Sequence, residues 1–89
     1  MTLDDCRREL DEADRALLTA FVRRMELSAP IADWKRAHGL PIRDEVRERE
    51  KLAAVRAQVP PELAQSAEEL YRTLFRLSRE LQSRRNGEA

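Results

Sequence analysis

Cysteine occurs once in these 89 residues, at Cys6, so no internal disulfide can staple the chain. A reducing compartment suits such a chain. With two glycines in all, there is no glycine-rich phosphate loop. A lone histidine, His38, sits near no cysteine or carboxylate cluster at metal-ligand spacing, and no nucleophile–base pair is visible. Seventeen cations balance seventeen carboxylates, so no global field attracts nucleic acid or a membrane surface. No apolar run approaches the roughly 20 residues of a membrane span, and no leader-like segment opens the chain. Repeats, low-complexity tracts and strand-like alternation are also missing. The expectation is one cytoplasmic domain over 1–89 that uses no metal or cofactor and binds neither nucleic acid nor membrane.

What is present is charge and helical periodicity. Charged residues make up 38% and aromatics 4%, a balance that suits helices with charged outer faces. The cations are arginine except at Lys35 and Lys51. Arginine suits bidentate capture of carboxylates; lysine acts as a compact point charge.

The periodicity predicts an all-α chain of three helices, the first unusually long. From Leu3 to about Lys35–His38, Leu3, Leu10, Leu17 and Ile31 recur every seven residues, as do Cys6, Ala13, Ala20, Leu27 and Trp34. Together they form a narrow apolar seam in which Cys6 and Trp34 read as packing residues. Thr2 is placed to cap the start, and Gly39 to end the helix. Pro30 predicts a kink near 26–30, the alternative being two helices. A second helix should open at Asp44, use Val46, Leu52, Val55 and Val59 as its apolar side, and end at Pro60–Pro61. A third should run to about Arg84, with a leucine seam at Leu63, Ala67, Leu70, Leu74, Leu77 and Leu81. Tyr71, Phe75, Ser78 and Gln82 form a second stripe beside it. Residues 85–89 read as frayed. So long a first helix cannot hide its apolar side under two short partners, which predicts a homodimer.

Several polar residues conflict with this pattern. Arg24 interrupts the apolar seam, and Arg7 and Lys35 lie on the stripe beside it. Arg24 and Lys35 are about 16 Å apart along the axis and face nearly the same way, so both could clasp one small anion. The ordinary alternative is that each extends its charged head into water. Arg7 lies roughly 25 Å from Arg24, too far to share a small ligand within one chain. If two first helices pair antiparallel, crossing near residues 18–20, Arg7 of one falls opposite about residues 29–33 of the other. A third cation then enters the same pocket, twice by symmetry. Alone, Arg7 reads as a surface residue. Asp44, Arg47 and Glu48 share one helix face at i, i+3 and i+4, which by itself is a cap with local ion pairing. Ser78 and Gln82, one turn apart, are either a buried hydrogen-bonded pair or directed donors to a ligand.

In order along the chain, these residues resemble the all-helical (AroQ-type) chorismate mutases. The resemblance rests on Arg7 and Asp14, Arg23-Arg24-Met25, Ile31-Ala32-Asp33-Trp34-Lys35, Gly39 to Asp44 followed by Arg47-Glu48, and Ser78 with Gln82. It covers nearly the whole chain. It implies an intertwined homodimer of three-helix chains that rearranges chorismate to prephenate on the way to phenylalanine and tyrosine. It also implies that Arg24, with Arg7 from the partner chain, holds the carboxylates of chorismate. Lys35 and Gln82 would donate to the ether oxygen. Asp44 and Glu48 would address the ring hydroxyl region, Arg47 would order those acids, and Ser78 would help hold a carboxylate. Two rivals remain: an isochorismate pyruvate-lyase of the same fold, against which the Asp44, Arg47, Glu48 set argues, and a non-catalytic helical dimerisation module.

Overall fold

A computed structural model describes residues 1–87. The chain forms three helices: α1 over Leu3–Ala37, α2 over Glu45–Ala57, and α3 over Ala64–Arg85, the last preceded by one 3₁₀ turn at Pro61–Leu63. No strand occurs among the described residues.

Local chemistry accounts for the helix ends. The Thr2 hydroxyl accepts from the Asp5 N–H at 3.1 Å, and the Asp5 carboxylate accepts from the Thr2 N–H at 2.9 Å. This reciprocal box satisfies two N–H groups that the helix leaves unpaired. Asp4 and Asp5 sit at the positive end of α1, and Lys35 and Arg36 at its negative end. The helix runs through Pro30 as a single element, so the two-helix alternative is not what forms. It stops at Gly39, whose φ of 64° is open to glycine at no steric cost. There the Leu40 N–H bonds the Lys35 carbonyl at 2.8 Å and the Gly39 N–H bonds Arg36 at 3.4 Å, the paired closure of a Schellman motif. The turn that carries Lys35 is therefore pinned by its own termination. Asp44 caps α2 by accepting from the Arg47 N–H at 3.0 Å. That helix ends before Val59, which lies in the connection to the 3₁₀ turn.

α3 packs on both α1 and α2. Of the leucine seam that periodicity suggests, Ala67, Leu74, Leu77 and Leu81 are part-buried and Leu63 and Leu70 about half exposed; the stripe beside it is at least as buried, with Ala64 and Gln82 buried and Tyr71, Phe75 and Ser78 part-buried. The neighbouring stripe thus faces α1, since Ser78 meets Ser28 there. The end of α3 is also tied down rather than frayed. Arg85 holds Asp33 through two hydrogen bonds of 2.8 and 2.9 Å, and the Asn86 amide donates to the Ala32 carbonyl at 3.0 Å. The expectation for residues 88–89 lies outside the described residues.

A single chain leaves much of its apolar surface open. Its buried apolar residues are Ala32, Leu52, Val55 and Ala64. In residues 1–20 every side chain except Asp5 is exposed, including Cys6, Leu10 and Leu17. Trp34, expected as a core anchor, is 62% exposed and stacks on His38 at 3.9 Å between ring centroids. The radius of gyration is 16.1 Å, against about 12 Å for a compact chain of this length. The long dimension of 54 Å is essentially α1 itself, about 52 Å at 1.5 Å per residue. Among the described residues of one chain, nothing packs against the first half of α1.

Candidate active site

The second half of α1 does have partners, and there a cavity of about 470 Å³ opens between the three helices. Its volume suits a small organic ligand. Arg24 and Lys35 reach it from α1, Asp44, Arg47 and Glu48 from the start of α2, and Ser78 and Gln82 from α3. Seven of the eight residues singled out in the sequence thus share one wall. Arg7 does not: it projects from the unpartnered end of α1.

The geometry is ordered from Lys35 outward. Its ammonium donates to the Gln82 side-chain carbonyl at 2.9 Å and to the Ile42 backbone carbonyl at 2.5 Å. An ammonium has three N–H groups, so one remains for a ligand. Burial pushes the Lys35 pKa below its ordinary 10.5, and the nearby Asp44 and Glu48 carboxylates push it back up.

Because Lys35 can only donate, Gln82 must turn its oxygen toward it. The Gln82 amide nitrogen then faces Ser78 and donates to its hydroxyl at 3.0 Å. Ser78 in turn lies 2.7 Å from the hydroxyl of Ser28. Ser28 is 1% exposed and spends its proton on the Arg24 carbonyl at 3.2 Å. The Ser78 proton must therefore point to Ser28. A one-way chain results, Gln82 to Ser78 to Ser28 to the backbone of Arg24. It leaves one N–H on the Gln82 amide free, as one is left on Lys35.

The Arg24 guanidinium lies 5.4 Å from the centre of the Tyr71 ring. Neither Arg24 nor Arg47 has a carboxylate partner within 4.0 Å among the described residues. Arg47 does not order the acids of α2 with its side chain, as the resemblance implied; only its backbone N–H meets Asp44. The ion pair to Glu48 comes from Arg79 on α3, at 2.6 Å.

Arg79, Lys51 and Ser28 are the cavity-lining residues with polar side chains that sequence reasoning does not single out. Lys51 lies one helical turn beyond Arg47 and Glu48, a spacing that could have revealed it. Arg79 looks like any charged residue on a helix of charged residues. In all, five cations and two carboxylates line the cavity, so it is built for an anion. Among the described residues no group of His, Cys, Asp and Glu is placed to hold a metal ion. Among the described residues no helix is long and apolar enough to cross a membrane.

The chain matches the family described as chorismate mutase type II over residues 6–83. It is 41% identical over 56 residues to the T-protein of Haemophilus influenzae, a stretch that is 63% of this chain and 15% of that protein. No solved structure matches it significantly. With a match running from the first turn of α1 to the last of α3, the chain belongs to the type II chorismate mutase family.

Proposed function

We propose that the chain rearranges chorismate to prephenate, as an intertwined homodimer in which each cavity is completed by Arg7 of the other chain. The observation that carries this reading is the convergence of Arg24, Lys35 and Gln82 on one anion-seeking cavity. The rearrangement breaks one C–O bond and forms one C–C bond within a single molecule, so it needs no nucleophile. What a protein can contribute is a compact substrate conformer and donors aimed at the ether oxygen as charge builds on it.

In this reading Arg24 and the partner's Arg7 hold the two carboxylates. Lys35 and Gln82, each with an N–H to spare, address the ether oxygen. Asp44 and Glu48 face the ring hydroxyl, and Arg47 adds positive charge at the rim. Ser78 helps hold a carboxylate only by turning its proton away from Ser28. The dimer is supported by the open apolar line of Leu3, Leu10 and Leu17, which are 64%, 60% and 54% exposed in one chain. An antiparallel partner would cover it and bring its Arg7 opposite about residues 29–33.

The test is a prephenate-formation assay on the purified chain, with isochorismate as a second substrate. Prephenate from chorismate is the expected result. Pyruvate and salicylate from isochorismate, with no prephenate, would make the chain a lyase. Turnover of neither, with no binding of a chorismate-like dianion, would leave a dimerisation module.

A further inference from the structure

The cavity contains one ion pair that crosses from α3 to α2. Arg79 donates to Glu48 at 2.6 Å, with the two side chains 25% and 18% exposed. In every other ion pair among the described residues, at least one side chain is 43% exposed or more. Surface pairs of that kind contribute little; this one is shielded and faces the site.

Lys35 lines the same cavity, close enough to Asp44 and then Glu48 to feel their charges; Asp44 is engaged as the cap of α2, accepting from the Arg47 N–H. Yet the hydrogen bonds of Lys35 go to two neutral carbonyls, those of Ile42 and Gln82. A half-buried ammonium near an unpaired carboxylate would ordinarily pair with it, because charge-assisted hydrogen bonds are about twice as strong as neutral ones. Glu48 is occupied elsewhere. Arg79, with its fork of donors, competes for it and wins.

We propose that Arg79 is a positioning residue that holds Glu48 off Lys35, so that the ammonium keeps an N–H for the reacting oxygen. Without it, Glu48 swings to Lys35, and the substrate must break a salt bridge before it can be activated. The other charged groups lining the cavity are Arg24 from α1, and Asp44, Arg47 and Lys51 from α2 and its cap. None of them forms an ion pair with Glu48. The functional consequence rests on Lys35 meeting the ether oxygen, so the test reads Lys35 without substrate.

The chain has two lysines, so enrichment with 13C at the lysine ε carbon gives two NMR signals, which Lys51→Arg assigns. The Lys35 pKa is then measured in the wild type, Arg79→Met, Glu48→Gln and the double variant. Removing the Arg79 charge alone raises the Lys35 pKa on either account, so the cycle is what decides. The expected result is that Glu48→Gln lowers the Lys35 pKa by about one unit more in the Arg79→Met background than in the wild type. Arg79→Lys, which keeps a cation there, should behave as the wild type, and Arg79→Gln repeats the measurement if Arg79→Met does not fold. In turnover, Arg79→Met should lower kcat severalfold with KM little changed. Equal effects of Glu48→Gln in both backgrounds would overturn the proposal. The coupling without prephenate formation would sink only the proposed activity. Additive shifts in an active enzyme would sink only the role of Arg79.

Discussion

Lys35 donates to the oxygen of Gln82, not to its nitrogen, at 2.9 Å. The orientation follows from chemistry, since an ammonium cannot accept. It leaves the amide nitrogen with one proton on Ser78 and one to spare, and it makes Gln82 a neutral donor at any ordinary pH.

Replacing that amide by a carboxyl tests the role. In Gln82→Glu the new side chain lies beside an ammonium that favours its ionised form, and an ionised carboxylate only accepts. At neutral pH kcat should fall by about 10² to 10³, the usual cost of losing one transition-state donor. Activity should recover as the pH is lowered and the carboxyl gains its proton. A pH–rate profile measured beside the wild type checks this; a loss that does not depend on pH would count against a donor role.

Ser28 is the buried end of the same chain of hydroxyls. Ser28→Ala removes the acceptor of the Ser78 proton and should cost about 1 kcal/mol, roughly 4–8 °C in Tm for a domain this small. The freed Ser78 hydroxyl can then turn to a substrate carboxylate, so KM should not rise. Thermal melts and steady-state kinetics check both halves, and an unchanged Tm or a raised KM would contradict them.

The Asp33–Arg85 clamp joins the C-terminal end of α3 to α1 just before the turn that carries Lys35. Its hydrogen bonds from Arg85, more than the Coulombic attraction, hold the Asp33 pKa below the ordinary 3.8. Folding thus favours the ionised carboxylate, and the clamp stabilises the fold above pH 3.8 and ceases to do so as the pH falls through the lower folded value. Arg85→Ala should therefore lower Tm at neutral pH, and the gap to the wild type should close in strong acid. Melting both proteins across that range checks it; a gap that stays constant would show that the carboxylate is not involved.

The parts of the fold legible in the sequence are those that depend on near neighbours. Thr2 and Asp5, Asp44 and Arg47, and Gly39 each act within one turn, so their spacing reveals them. The buried line of α3 is legible only in part. Spacing gives the leucine seam, the stripe beside it and the Ser78–Gln82 pair, but not that Ser78 and Gln82 make the polar contacts with Ser28 and Lys35 of α1. Their burial depends on satisfying one another across fifty residues of chain, which no single residue type announces. Arg85 and Asn86 looked frayed for the same reason: their partners, Asp33 and Ala32, are distant in sequence. In the site, Arg24, Lys35 and Gln82 stood out because they are polar where the pattern demands apolar. Arg79 did not, because a charge on a charged helix conflicts with nothing. The resemblance points to Arg47 as the residue that orders the acids of α2, whereas the cation that reaches Glu48 comes from another helix.

The most direct test of a cavity completed by two chains is to mix Arg7→Ala protein with Lys35→Ala protein, each nearly inactive alone, and to measure prephenate formation after the subunits have exchanged. A mixed dimer carries one site with both substitutions and one with neither. At equal concentrations half of the dimers are mixed, so activity should rise to about one quarter of the wild-type level. Activity that stays at the level of the separate variants, with exchange demonstrated independently, would mean that Arg7 serves no site across the dimer.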